Sequence, residues 1–197
     1  MYKSIKNIIK YILHTDKIGK IKKRKFYAFG KGSVIYKPYL QLSGVNNIVI
    51  GNNTTILSNS RLSTYGNSKQ PLINIGNNCY IGFGFSILAG TGAKINIGND
   101  VLIASNVLIT NENHGINPDD LNEYMNQKLF CKNVSIGDGC WIGEKVCILP
   151  GVNIGKKCVI GAGAIVTKSV PDYSIAVGNP ARVIKKYDFN KHSWENI

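Results

Sequence analysis

Residues 136–166 read IGDGCWIGEKVCILPGVNIGKKCVIGAGAIV, with an aliphatic residue at every sixth position: Ile136, Ile142, Ile148, Ile154, Ile160 and Val166. A period of six fits neither an amphipathic helix nor a strand that alternates faces. It fits a short strand followed by a turn, repeated so that each aliphatic side chain points at a common axis. Outward from this stretch the register recurs as Ile97, Ile103 and Ile109, as Ile75, Ile81 and Ile87, and as Ile50, Ile56 and Leu62. The next residue is often Gly or Ala, as at Gly76, Gly98, Ala104 and Gly137. Four places on from the aliphatic residue the side chains are mostly small or β-branched, among them Thr54, Ser60, Cys79, Val101, Cys140, Cys158 and Ala164.

Three hexads predict one triangular coil, with position n lying over n+18, so that Ile136 sits over Ile154 and Ile148 over Val166. Each buried aliphatic side chain contributes about 1.5–3 kcal/mol of transfer free energy, so this ladder is the expected core. Cys79, Cys140 and Cys158 then fill small inward positions and are core rather than chemistry. Two interruptions stand out: residues 63–74, rich in Ser, Gly, Asn and Gln, and the longer excursion 115–135, GINPDDLNEYMNQKLFCKNVS. A loop of that length in a compact repeat is functional or disordered, and Tyr124, Met125 and Phe130 predict that it packs on something.

Composition agrees with a coil of turns. The 197 residues include 21 Gly and 23 Asn, residues that weaken helices and favour turns, which argues against a helix bundle. No apolar run approaches the ~18 residues of a membrane span. Lys3, Lys6 and Lys10 interrupt the start of the chain, so it does not read as a secretory signal. The five cysteines form no CxxC pair, which predicts reduced thiols in a cytoplasmic protein without zinc.

The net charge of +13 is uneven: residues 1–25 carry nine cations against Asp16 alone. There Tyr2, Ile5, Ile8, Ile9, Ile12 and Leu13 recur at helical spacing opposite lysines. This predicts an amphipathic helix that docks on the main domain and could also rest on an anionic membrane surface. No basic stripe interleaved with aromatics follows, so nucleic acid is not an expected partner. The expected divisions are a basic segment over 1–30, the coil domain over 31–184 and a tail over 185–197.

The stretch 136–184, from IGDGCWIGEKVCILPGVNIG through VTKSVPDYSIAVGNPARVI, resembles the hexapeptide-repeat acyltransferases, most of all sugar and polysaccharide O-acetyltransferases of the maltose and galactoside type. The resemblance covers about residues 45–186. It implies an all-β, left-handed parallel β-helix, a homotrimer with active sites between subunits, and acetyl-CoA as co-substrate with no metal. Such transfer needs a base, an oxyanion stabiliser and a cradle for coenzyme A.

Of the three histidines, His14 lies in the basic segment and His192 in the tail, and only His114, in NENHG just before the long loop, belongs to the coil. A lone His at a turn is by itself an ordinary polar turn residue, but the family's catalytic histidine occupies the matching place. The resemblance therefore makes His114 the general base. Asn111, Glu112, Asn113 or a backbone carbonyl could fix its tautomer, and Asn111 and Asn113 are candidates for the acceptor side. The family places the oxyanion donor just after the WIG motif, here Gly143 or Glu144, with Trp141 as an exposed wall beside the thioester or an aromatic under the 115–135 loop. GAGAIVTK and GNPARVIK resemble the segments that meet coenzyme A, with Gly161, Ala162 and Gly163 beneath the pantetheine and Thr167, Lys168, Arg182 and Lys185 at the phosphates.

The family's acceptor-binding asparagine aligns with Gly84, and residues 1–45 do not match its sugar-shaping N-terminus. The expected acceptor is therefore a sugar hydroxyl of a surface polysaccharide, such as capsule or O-antigen, or of its lipid-linked precursor, reached from the cytoplasm or the inner membrane face. The rival readings are an N-acetyltransferase of a nucleotide-linked amino sugar or an antibiotic, and a non-catalytic β-helix that binds partners.

Overall fold

The computed structural model describes residues 26–66 and 68–197. The amphipathic helix expected near the N-terminus lies outside the described residues. From residue 28 the chain winds through three parallel sheets, each receiving one strand per coil. The first face stacks Ala28–Phe29, Ile48–Ile50, Ile73–Ile75, Ile95–Ile97, Val134–Ile136 and Asn153–Ile154. The second runs from Val34–Ile35 through Thr55–Ile56, Tyr80–Ile81, Leu102–Ile103, Trp141–Ile142 and Val159–Ile160 to Ser174–Val177. The third stacks Gln41–Ser43, Arg61–Thr64, Ser86–Ala89, Leu108–Thr110, Cys147–Ile148 and Ile165–Val166. The coil thus begins a few residues before the expected boundary at 31.

The aliphatic ladder is the core. Ile56, Ile81, Ile103, Ile142 and Ile160 stack on the second face and are essentially shut off from solvent. Ile136 pairs with Ile154 and Ile148 with Val166, the expected spacing of 18. Earlier coils are longer: Leu62 pairs with Ile87, Ile87 with Ile109, and Ile109 with Ile148. From Ile48 onward the extra residues leave the prism between the third face and the next first face, hereafter the third corner. They include a short loop at 90–94 that the sequence did not announce.

The other two corners are tight turns. Their left-handed position is held by Asn53, Asn78, Asp100 and Lys157 at the first corner, and by Asn59, Gly84, Asn106, Lys145 and Gly163 at the second. Asparagine tolerates that conformation better than other side chains. It has a second use at the first corner. The Oδ1 atoms of Asn52, Asn77 and Asn99 accept from the amides of Lys31 (2.7 Å), Asn52 (2.7 Å) and Asn77 (2.9 Å), tying each turn to the next.

Cys79, Cys140 and Cys158 are buried inward, and their thiols donate to the carbonyls of Gly98, Gly155 and Pro171. Burial pushes the Cys79 thiol above the ordinary cysteine range, and the neighbouring Cys158 thiol, together with burial, does the same to Cys140. One inward position departs from the small-residue rule: Phe85, fully buried, lies in the column between Ser60 and Val107.

The C-terminus is not a loose tail. Arg182–Asp188 pairs antiparallel with Ser174–Val177, and Ser193–Asn196 pairs with Arg182–Asp188, extending the second face by a hairpin. Tyr173, Tyr187, Phe189 and Trp194 pack edge to face across it, at centroid distances of 4.8–5.3 Å. Aromatic pairs favour that arrangement.

Candidate active site at the third corner

The 115–135 excursion leaves the third corner on a two-stranded neck in which Glu112 pairs with Cys131 and Asn113 with Phe130. Alternation along these strands gives the neck two sides. Glu112 and Cys131 turn toward Gly90, in the preceding coil. A Cβ placed on Gly90 would come within 2.5 Å of Glu112 Oε2 and 2.8 Å of Cys131 Sγ, so the carboxyl fits only because Gly90 has no side chain. Asn113, Phe130 and Lys132 are on the other side, where with His114, Ile116 and Pro150 they line a cleft of about 530 Å³.

His114 is exposed at the top of the neck. Its Nδ1 lies 3.1 Å from the backbone carbonyl of Tyr124. A carbonyl can only accept, so Nδ1 carries the proton and Nε2 keeps its lone pair. Of the groups that could fix the tautomer, it is thus a backbone carbonyl, contributed by the far side of the loop.

The loop holds that carbonyl in place through Gln127, a residue the sequence did not single out. Its Nε2 donates to the carbonyls of Asn117 (2.9 Å) and Asn122 (3.0 Å), and its Oε1 accepts from the Asn117 amide (3.1 Å). The apolar side chains of the loop do not pack on this chain as expected: Met125 is 77% and Phe130 60% exposed.

Asn111 is a correction. Instead of facing an acceptor, it is fully buried. Its Oδ1 accepts from the Gly90 amide (2.8 Å), and its Nδ2 donates to the carbonyls of Ala93 (3.1 Å) and Gly90 (3.3 Å), pinning the 90–94 loop under the neck. Asn113 does line the cleft with His114.

The remaining candidates divide between corners. Trp141 is 53% exposed in an outward column with Tyr80 and Leu102 on the second face. The long loop, which departs from the third corner, does not cover it. Gly143 and Glu144 turn the second corner. The Gly143 amide already donates to the Ile160 carbonyl (2.8 Å), and among the described residues the Glu144 amide at the WIG turn has no backbone acceptor. Directly below, the Gly163 amide donates to the Glu144 carbonyl (2.7 Å).

Gly161, Ala162 and Gly163 continue this corner, and Gly161 lies under Val177, whose strand partner is Arg182. A Cβ on Gly163 would meet nothing within 4 Å, so the backbone there is open to a ligand. Lys185 lies beside Ile175 at the end of the second face. Thr167 and Lys168 are exposed at the third corner instead, on the same edge as His114. Gly84, aligned with the acceptor-binding asparagine, turns the second corner at φ 67° between Asn59 and Asn106.

Burial also raises the Glu112 carboxyl above the usual carboxylate range, opposed by the nearby charge of His114. Its Oε2 is buried without a hydrogen-bond partner. Among the described residues no helix is long and apolar enough to cross a membrane.

Comparison with known proteins agrees with this architecture. The family described as "Hexapeptide repeat of succinyl-transferase" matches residues 133–168. The galactoside O-acetyltransferase of Escherichia coli (strain K12) is 40% identical over 121 residues, which are 61% of this chain and 57% of that protein. WbbJ of the same organism, provisionally named a lipopolysaccharide biosynthesis O-acetyl transferase, is 40% identical over 114 residues, 52% of this chain and 55% of WbbJ. The chain thus spans little more than half the length of these curated relatives. Over 87% of this chain and 90% of the other, it also superposes with a TM-score of 0.73 and 25% identity on a mutant of AntD. AntD is an N-acyltransferase from Bacillus cereus, solved with dTDP-4-amino-4,6-dideoxyglucose and coenzyme A. The six-residue ladder, its three parallel faces and these likenesses make the chain a left-handed parallel β-helix similar to those of the hexapeptide-repeat acyltransferases.

Proposed function

We propose that the protein is an acetyl-CoA-dependent O-acetyltransferase acting on a sugar hydroxyl, with His114 as general base. The observation that carries this reading is the Nδ1 contact of His114 with the Tyr124 carbonyl, which in the neutral ring leaves Nε2 without a proton on a residue that lines an open cleft. His114 takes the proton of the acceptor hydroxyl as its oxygen bonds to the acetyl carbon. The Glu144 amide donates to the resulting oxyanion. His114 then returns the proton to the sulfur as the carbon–sulfur bond breaks. A positioned base contributes about 10²–10⁴-fold to such a step.

The open backbone at Gly163 fits a pantetheine, and Arg182, Lys185, Thr167 and Lys168 supply cations and a hydroxyl for phosphates. Acetyl-CoA supplies the activated acyl group.

In one chain His114 stands at the third corner and Glu144 at the second, on opposite edges of the third face. A complete site therefore combines two copies, in keeping with a homotrimer whose active sites lie between subunits. The exposed column of Tyr80, Leu102 and Trp141 is suited to such packing. The likeness to WbbJ supports an acceptor belonging to a surface polysaccharide or its lipid-linked precursor, modified on the cytoplasmic side. The basic segment over 1–25 then gives a contact with the membrane.

The test is turnover of acetyl-CoA with sugar acceptors by wild type and His114→Ala. The variant should lose at least about 100-fold in turnover while its coenzyme A affinity stays unchanged. Undiminished turnover excludes His114 as the base. The likeness to AntD favours a second reading, N-acylation of a nucleotide-linked amino sugar. Amine and hydroxyl acceptors assayed side by side separate the two.

A further inference from the structure

The geometry points to an anionic acceptor, held in the His114 cleft by Lys132. This inference rests on the transferase reading and names the class of sugar that its cleft takes. The cleft has three kinds of lining residue: the base His114 with Asn113, the apolar Ile116, Phe130 and Pro150, and the cationic Lys132. Apolar surface with an aromatic suits the less polar face of a sugar ring, and polar groups at the margin fix its orientation.

Lys132 is an exposed residue whose backbone and stem are anchored. Its amide donates to the Asn111 carbonyl (2.8 Å), and its aliphatic stem crosses the bare backbone of Gly151, where a Cβ would come within 3.1 Å of Lys132 Cδ. The nearest carboxylate by strand pairing, Glu112, is on the opposite side of the neck, turned to Gly90 in the coil above. Among the described residues the one ion pair joins Lys191 to Glu195, far from this cleft, so Lys132 has no carboxylate partner there. An exposed cation with no protein counter-ion among the described residues, lining the same cleft as His114 and its apolar walls, can form a charge-assisted hydrogen bond with a ligand that brings its own negative charge.

Two sources share that chemistry: a carboxylate on the sugar ring, as in a hexuronic acid, and a phosphate at its anomeric carbon, as in a sugar linked to a nucleotide or lipid carrier. In both, the hydroxyl offered to His114 and the anion offered to Lys132 are on one sugar unit.

The test is titration of the full-length protein, in the presence of coenzyme A, with methyl glucoside, methyl glucuronide and glucose 1-phosphate. The expected result is an affinity about ten-fold or more higher for at least one anionic sugar than for the neutral one. The better of the two identifies the source. Lys132→Met, which keeps the stem, should abolish the preference. Lys31→Met, which removes the same charge at another corner, should leave it intact. The inference is overturned if the three sugars bind equally or none binds, or if the preference survives in Lys132→Met. Coenzyme A affinity, measured in the same samples, tests the transferase reading separately.

Discussion

His114 Nδ1 faces the backbone carbonyl of Tyr124 at 3.1 Å, so a residue on the repeat takes its protonation pattern from the loop that interrupts it. The carbonyl also accepts from the Gln127 backbone amide (3.3 Å), and the Gln127 side chain holds the loop around it through three further hydrogen bonds to backbone groups. Gln127→Ala should therefore lower kcat by about ten-fold or more, since small errors of placement are costly in catalysis, and leave coenzyme A affinity unchanged. Steady-state kinetics with a binding titration checks this, and equal kcat would show that the loop holds the carbonyl without Gln127.

Asn111 joins the neck of the loop to the 90–94 turn with three hydrogen bonds in a buried setting. Asn111→Ala leaves the Gly90 amide and the carbonyls of Gly90 and Ala93 without those partners. The expected loss is about 2–3 kcal/mol in urea unfolding, the penalty for orphaned buried polar groups.

Glu112 gives a stability signature with an unusual sign. Its carboxyl titrates above the ordinary range because burial disfavours the charge, so the folded state holds its proton more tightly than the unfolded chain. Its contribution is favourable below the unfolded carboxylate pKa and is lost as pH rises through the raised folded value. Glu112→Gln should thus melt higher than wild type at pH 7, and the gap should close near pH 4. A wild type that melts higher than the variant at pH 7 would mean that the carboxylate is stabilised in the fold.

Leu102 lies between Tyr80 and Trp141 in the exposed column of the second face, 44% exposed. In an assembly that covers this column, Leu102→Glu should reduce the mass measured by light scattering and lower turnover at sites shared between copies. Ile103, one residue on, points inward and is fully buried, so Ile103→Ala should cost about 2–5 kcal/mol of stability. The two neighbours separate assembly from folding.

The ladder was legible because each coil imposes the same demand: an inward aliphatic residue, then a turn where Gly or Asn is least strained. Ile142 or Ile160 can be placed from periodicity alone. The candidate site was legible in part. His114 stands out as the one coil histidine, but its partner is ten residues away in a segment without repeat. Asn111 looked like a turn residue at the acceptor because its sequence does not reveal that the preceding coil closes over it. Lys132 and Phe130 join His114 only through the pairing of 112–113 with 130–131, which no local pattern announces. The C-terminal hairpin was missed because the hexad register ends before it, although Val183, Lys185 and Tyr187 alternate with Arg182, Ile184 and Lys186 along a strand.

That hairpin also ends the parallel stacking of the second face. A parallel solenoid stopped abruptly would present a ready template on which another solenoid could continue, end to end, into a fibre. Here the last parallel strand of the second face, Ser174–Val177, is met by a strand running the other way. The outermost described strand of this face is Ser193–Asn196, four residues carrying Glu195, which is bridged to Lys191 at 3.4 Å. A short, charged, reversed edge is a poor seed for filament growth, and it lets the coil finish at a fixed length.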